Sequence, residues 1–165
     1  FTMIELIFVI VIIGILAAIA IPKLAATRDD AKISNIIANA RTVVSDMSSY
    51  YTSQGQDHWA STGTNQGVIS DVTNVPLASA CTATGETSAA GDAIAPHAGL
   101  HLCDGAGNIC ITFTTTDDGN LTAAQGGGAA TGNVCPNVVA DTAIDAMTNG
   151  STGKTISLGG VTVVR

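Results

Sequence analysis

Hydrophobic positions divide the chain into three unlike stretches. From Leu6 to Ile21 nothing polar intervenes, and Thr2 and Glu5 are the only polar side chains before Lys23. That run, joined by Phe1 to Glu5, predicts roughly 30 Å of helix, about the thickness of a bilayer core. Past Pro22 the pattern becomes amphipathic. Ala26, Ile33, Ile36, Ile37, Ala40, Val43, Val44, Met47, Tyr50 and Tyr51 recur at three- and four-residue steps, while Arg28, Asp29, Lys32, Arg41 and Asp46 fall mostly on the other side. A helix stop is expected near Ser53, with Gly55 supplying a left-handed cap before the polar run SQGQD. Both segments together predict one rod of roughly 80 Å, disturbed at Pro22, whose first half protrudes bare.

The third stretch alternates over short distances. His101 to Cys103, the turn residues DGAGN and Ile109 to Thr114 read as a hairpin. A second turn at Asp117 to Asn120 leads into Leu121 to Ala123, and Thr155 to Leu158 with Val161 to Val164 supply a closing strand or strand pair. Val68 to Val75 reads as a short helix or strand, and the run AAQGGGAATG as flexible loop. Three or four antiparallel strands packed on the amphipathic helix face give an α+β fold: a long N-terminal helix, apolar then amphipathic, on a small antiparallel sheet. The expected division is an apolar helix of membrane-spanning length over 1–24, its amphipathic continuation over 25–54, and an acidic β-rich domain over 55–165.

Charge sharpens that division. Residues 1–53 carry four cations and four anions, whereas 54–165 carry two cations against nine anions, so the whole net charge of −7 lies in the back half. With 12% charged residues and 46% hydrophobic ones over 165 residues, intrinsic disorder and an ordinary charged cytosolic enzyme fit poorly. The acidic balance argues against direct nucleic-acid binding. A cleaved secretory signal also fits poorly, since the apolar run lacks a basic flank and a clear small-residue cleavage site and continues straight into an amphipathic helix.

A carboxylate among lipid-facing residues is costly unless a cation is close, and no Lys or Arg precedes Lys23, so Glu5 calls either for a cation or for a place among lipid headgroups near the helix start. The α-amino group of Phe1 is nearest in sequence, and a subunit stacked one step away offers its own. Gly14 lowers helix propensity and Pro22 removes a backbone donor. With Phe1, Thr2, Glu5, Gly14 and Pro22 in place, the start FTMIEL followed by an amphipathic helix resembles the mature N-terminus of type IV pilins and their pseudopilin relatives. The resemblance is specific over 1–24, extends to about residue 53 and carries no motif beyond. It implies removal of a leader by a prepilin peptidase, N-methylation of Phe1, pairing of Glu5 with a neighbour's Phe1 amine, and helix loosening between Gly14 and Pro22 within filaments. Met3 stands where Leu is usual in the family.

Four cysteines, at 81, 103, 110 and 135, lie in the part expected outside the membrane and predict two disulfides. Three connectivities exist; the hairpin favours Cys103–Cys110, leaving Cys81–Cys135 to close the long loop. Thirty residues follow Cys135, so a disulfide near the C-terminus, common among pilins, does not carry over simply. His97, His101 and Cys103 lie in an apparent strand rather than the helix that would converge them on a metal. Asp117, Asp118 and Asn120 fall short of a calcium-loop pattern, although calcium is known among type II secretion pseudopilins. Asn120-Leu121-Thr122 and Asn149-Gly150-Ser151 are glycosylation tripeptides, and Asp118 before Asn120 makes Asn120 the candidate.

No P-loop, GxSxG or HExxH motif occurs, and neither catalysis nor a cofactor is expected. The resemblance of the N-terminus implies a major pilin as the expected function, in which 1–24 forms the filament core. Such a subunit polymerises with copies of itself through its N-terminal helix into a surface filament for adhesion, motility or uptake. It would wait in the bacterial inner membrane before assembly and be handled there by prepilin peptidase and the pilus assembly machinery. Alternatives are a pseudopilin forming a periplasmic piston and a membrane-anchored binding module.

Overall fold

In the computed structural model, residues 1–60 and 65–159 are described, and the side chains of Pro22 and Ala25 fall outside that description. Helix α1 spans Met3–Gln54 and runs through Pro22 without interruption. It ends where expected: Gly55 N–H donates to the Tyr51 carbonyl, and the chain leaves with Gly55 at φ 74° and ψ −174°. The positive φ explains the glycine, but the ψ is extended, so the exit is not the left-handed cap expected from sequence.

Two short helices, α2 (Gln56–Trp59) and α3 (Ile69–Val72), precede the sheet; α3 resolves the helix-or-strand expectation for Val68–Val75. The strands are β1 (Ala78–Thr82), β2 (Gly85–Ser88), β3 (His97–Cys103), β4 (Ile109–Thr115), β5 (Asn120–Gln125) and β6 (Lys154–Ser157). They form one antiparallel sheet in the order β2-β1-β3-β4-β5-β6. The expected hairpins over 101–114 and 117–123 are β3–β4 and β4–β5. Strands β1 and β2 are additional, and the strand expected over Val161–Val164 lies outside the described residues. Between β5 and β6 come α4 (Cys135–Val139) and α5 (Thr142–Thr148), where the sequence reading placed no helix.

The core lies between α1 and the sheet. Ile36, Ala40, Val43 and Met47, spaced four, three and four residues apart, bury one helix face in a cluster with Leu100, Leu102, Phe113 and Leu121. Each fully buried large apolar side chain contributes about 1.5–3 kcal/mol. Trp59 is fully buried and donates its ring N–H to the Thr116 carbonyl at 2.8 Å, tying the region just beyond α1 to the β4–β5 turn.

The disulfides correct the favoured pairing. Cys81 bonds Cys103 and Cys110 bonds Cys135, with Cα–Cα separations of 5.9 and 4.8 Å. The cause is a register shift in the β3–β4 hairpin. Leu100, His101 and Leu102 face Phe113, Thr112 and Ile111, and continuing that register would put Cys103 opposite Cys110. Instead Cys103 pairs with Ile109. The irregularity lets Cys110 and Ile111, adjacent in sequence, both reach the core at 0% exposure, while Cys103 stays half-buried and turns to β1.

Candidate assembly surface

The N-terminal end of α1 is organised by two residues. Thr2 sits in extended backbone at φ −83° and ψ 153°, and its hydroxyl accepts from the Glu5 N–H at 3.4 Å. Glu5 reaches back: its Oε2 accepts the Thr2 N–H at 2.6 Å and the Thr2 hydroxyl at 2.9 Å. This is a capping box, closing donors that the first helical turn would otherwise leave open. The T-x-x-E spacing of Thr2 and Glu5 is the sequence signal of this box. All three described contacts engage Oε2 or the Thr2 hydroxyl, and none occupies the carboxylate's Oε1.

Above the cap stands a bare apolar rod. Ile7, Phe8, Ile10, Ile13, Leu16 and Ile21 are all exposed, and no described residue outside α1 covers them. Gly14 lies in this stretch with open space where a Cβ would stand. The apolar part of α1 is long enough to cross a membrane by length and composition. Thus Glu5, Gly14 and Pro22 lie within α1, Thr2 caps it from the residue before and Phe1 precedes the cap, with Thr2 and Glu5 in direct contact.

Where the rod enters the domain, the apolar face becomes buried from Ile36 onward and polar ties appear beside it. Lys32 Nζ donates to the Asp104 carbonyl at 3.1 Å, Arg41 lies 3.7 Å from the Asp141 carboxylate, and the Thr73 hydroxyl donates to Asp46 at 2.7 Å. Asp104 is itself buried. Burial opposes its ionisation, but hydrogen bonds from the Asn108 side chain and the Ala106 and Asn108 main-chain N–H groups, with the charge of Lys32, together hold its carboxyl below the usual range.

The remaining candidates are separate. His101 pairs with the Thr112 hydroxyl at 3.1 Å, and its imidazole is held below its usual range by burial and then by neighbouring His97. His97 lies 3.3 Å from the Asp92 carboxylate. Cys103 is committed to its disulfide. Asn120 opens β5, half-buried and paired with Ser157, while Thr122 of the same tripeptide contacts the Thr155 hydroxyl at 3.0 Å.

Comparison with known proteins adds one relative. Over 70 residues the chain is 41% identical to a protein named fimbrial protein from Neisseria meningitidis serogroup A. Together with the long apolar helix and the antiparallel sheet, this match fits a type IV pilin. The match takes in 42% of this chain and 40% of that relative, so the pilin-like likeness spans less than half of either. No family model and no solved structure matches the chain.

Proposed function

We propose that this chain is a structural subunit that polymerises with copies of itself into a type IV pilus on the cell surface. The observation that carries the reading is the bare apolar rod of α1, projecting from a folded, disulfide-bonded acidic domain. In this reading residues 1–24 form the filament core, 25–54 seat the rod on the domain, and 55–165 form the exterior. A rod so apolar is stable in a bilayer and unstable in water. The subunit therefore waits in the inner membrane, where prepilin peptidase and the assembly machinery act on it, and leaves only as neighbouring rods replace lipid contacts. Packing between helices, rather than further hydrophobic gain, then holds the bundle.

Glu5 supplies the axial register. Its capping contacts hold the carboxylate at the rod's tip with Oε1 turned to no described partner, which suits it to accept the Phe1 amine of the next subunit. The resemblance to mature pilins makes that amine N-methylated, and it leaves Gly14 and Pro22 as the place where the rod loosens on packing. The likeness to a fimbrial protein supports a structural role rather than an enzymatic one. Electron microscopy of material sheared from expressing cells, with mass spectrometry of the filament protein, tests the reading. Thin filaments built of this chain are expected; retention of the chain in membranes with none in the sheared fraction overturns it.

A further inference from the structure

Lys32 makes the lowest described hydrogen bond between α1 and the rest of the chain, one turn below Ile36, the first buried residue of the rod. Its acceptor is firmly supported. Asp104 is 5% exposed; its Oδ1 accepts from the main-chain N–H groups of Ala106 at 2.7 Å and Asn108 at 3.0 Å, and its Oδ2 accepts from Asn108 Nδ2 at 2.7 Å. Its own N–H donates to the Asn108 carbonyl at 3.1 Å. The loop is flanked by Cys103 and Cys110, each in a different disulfide. Gly107, at φ 99°, lies so close to the β1–β2 turn that a Cβ would meet the Ala83 nitrogen at 2.6 Å.

The rod at this point is less firmly held. Ile33 and Ile37 are only partly buried. The hydroxyls of Thr27 and Ser34 bond back to the Leu24 and Asp30 carbonyls, an arrangement that favours helix bending. From Lys32 to Phe1 the helix runs about 46 Å, so a change of about 10° in its direction moves the tip about 8 Å, a full helix-to-helix spacing.

We propose that Lys32 and Asp104 are positioning residues that fix the direction in which residues 1–31 leave the domain, and so the presentation of the rod for polymerisation. The proposal rests on the filament reading above. Asp104 acts through its loop: four hydrogen bonds hold its carbonyl still, and Lys32 reads that fixed point from the helix.

Hydrogen exchange of the full-length chain in detergent micelles, followed by mass spectrometry, is paired with filament yield from cells. Lys32→Met is expected to speed exchange across residues 28–36 by about tenfold, as loss of one charge-assisted hydrogen bond allows. Exchange in β4 and β5 should not change, and filament yield should fall. Lys32→Arg, which keeps a donor, should restore both. Wild-type exchange and yield in Lys32→Met overturn the proposal. So does faster exchange spread equally over β4 and β5, which marks general destabilisation, and so does a local exchange change with normal filaments. In each of these cases wild-type filaments leave the filament reading standing. A wild-type chain that makes none overturns that reading, and the proposal with it.

Discussion

At residue 5 one carboxylate meets two demands. Glu5 closes the helix start through Thr2, and in the proposed filament it also receives a neighbour's amine. The two roles separate by substitution, because glutamine at this position of a capping box still accepts the Thr2 N–H but carries no charge. Glu5→Gln is therefore expected to keep helix content by circular dichroism and to lose most filaments from the sheared fraction. Glu5→Ala should lose filaments and fray the first turn as well. Normal filaments from Glu5→Gln would remove the charge from the account.

Two titrating groups give the domain an acid limit. Asp104 has its folded pKa lowered, so its contribution is complete above the ordinary carboxylate value of about 4 and is lost as pH falls through the folded value. His101 is lowered too. The fold favours its neutral form, and its contribution fades as pH drops below about 6.5. Thermal melting against pH should decline in two stages. His101→Gln should flatten the upper one and Asp104→Asn the lower; unchanged slopes in both variants would contradict these assignments.

Among the elements, legibility followed pattern strength. The rod declared itself through a long apolar run and then a three-and-four spacing, and β3 to β5 through alternation around Gly-containing turns. Strand β2 is exposed at every position and β1 is built of small residues, so neither shows a two-residue period. Helix α5 did carry a start signal, since Asp141 caps Ala143 and Ile144, but seven residues gave too little periodicity to outweigh the loop-like composition before it. The disulfide pairing was illegible because it depends on one register irregularity between Leu102 and Cys103. Sequence separations of 22 and 25 give the two disulfides nearly equal loop-closure effects, about 3.5 kcal/mol each. Burial separates them: Cys110 and Cys135 are wholly enclosed, whereas Cys81 and Cys103 are half-buried. The Cys110→Ala/Cys135→Ala pair should lower the melting temperature more than Cys81→Ala/Cys103→Ala, and mild reductant should open Cys81–Cys103 first. The reverse order in either measurement would contradict the packing described.

For the whole molecule, the contrast between its two ends carries the account. One end is a neutral apolar rod with little of its own chain to cover it, and the other is a folded acidic domain whose excess negative charge suits an exterior in water. In the proposed filament neighbouring copies cover the rod by lining it up with their own, which places the apolar segments together and the acidic domains apart. The most direct test is a helical reconstruction by electron cryomicroscopy of filaments sheared from expressing cells. The account predicts a central bundle made of residues 1–24, with each Glu5 beside the N-terminus of an adjacent copy and the β-domains outside. A filament axis built from the β-domains, with residues 1–24 facing solvent or missing from the bundle, would contradict it.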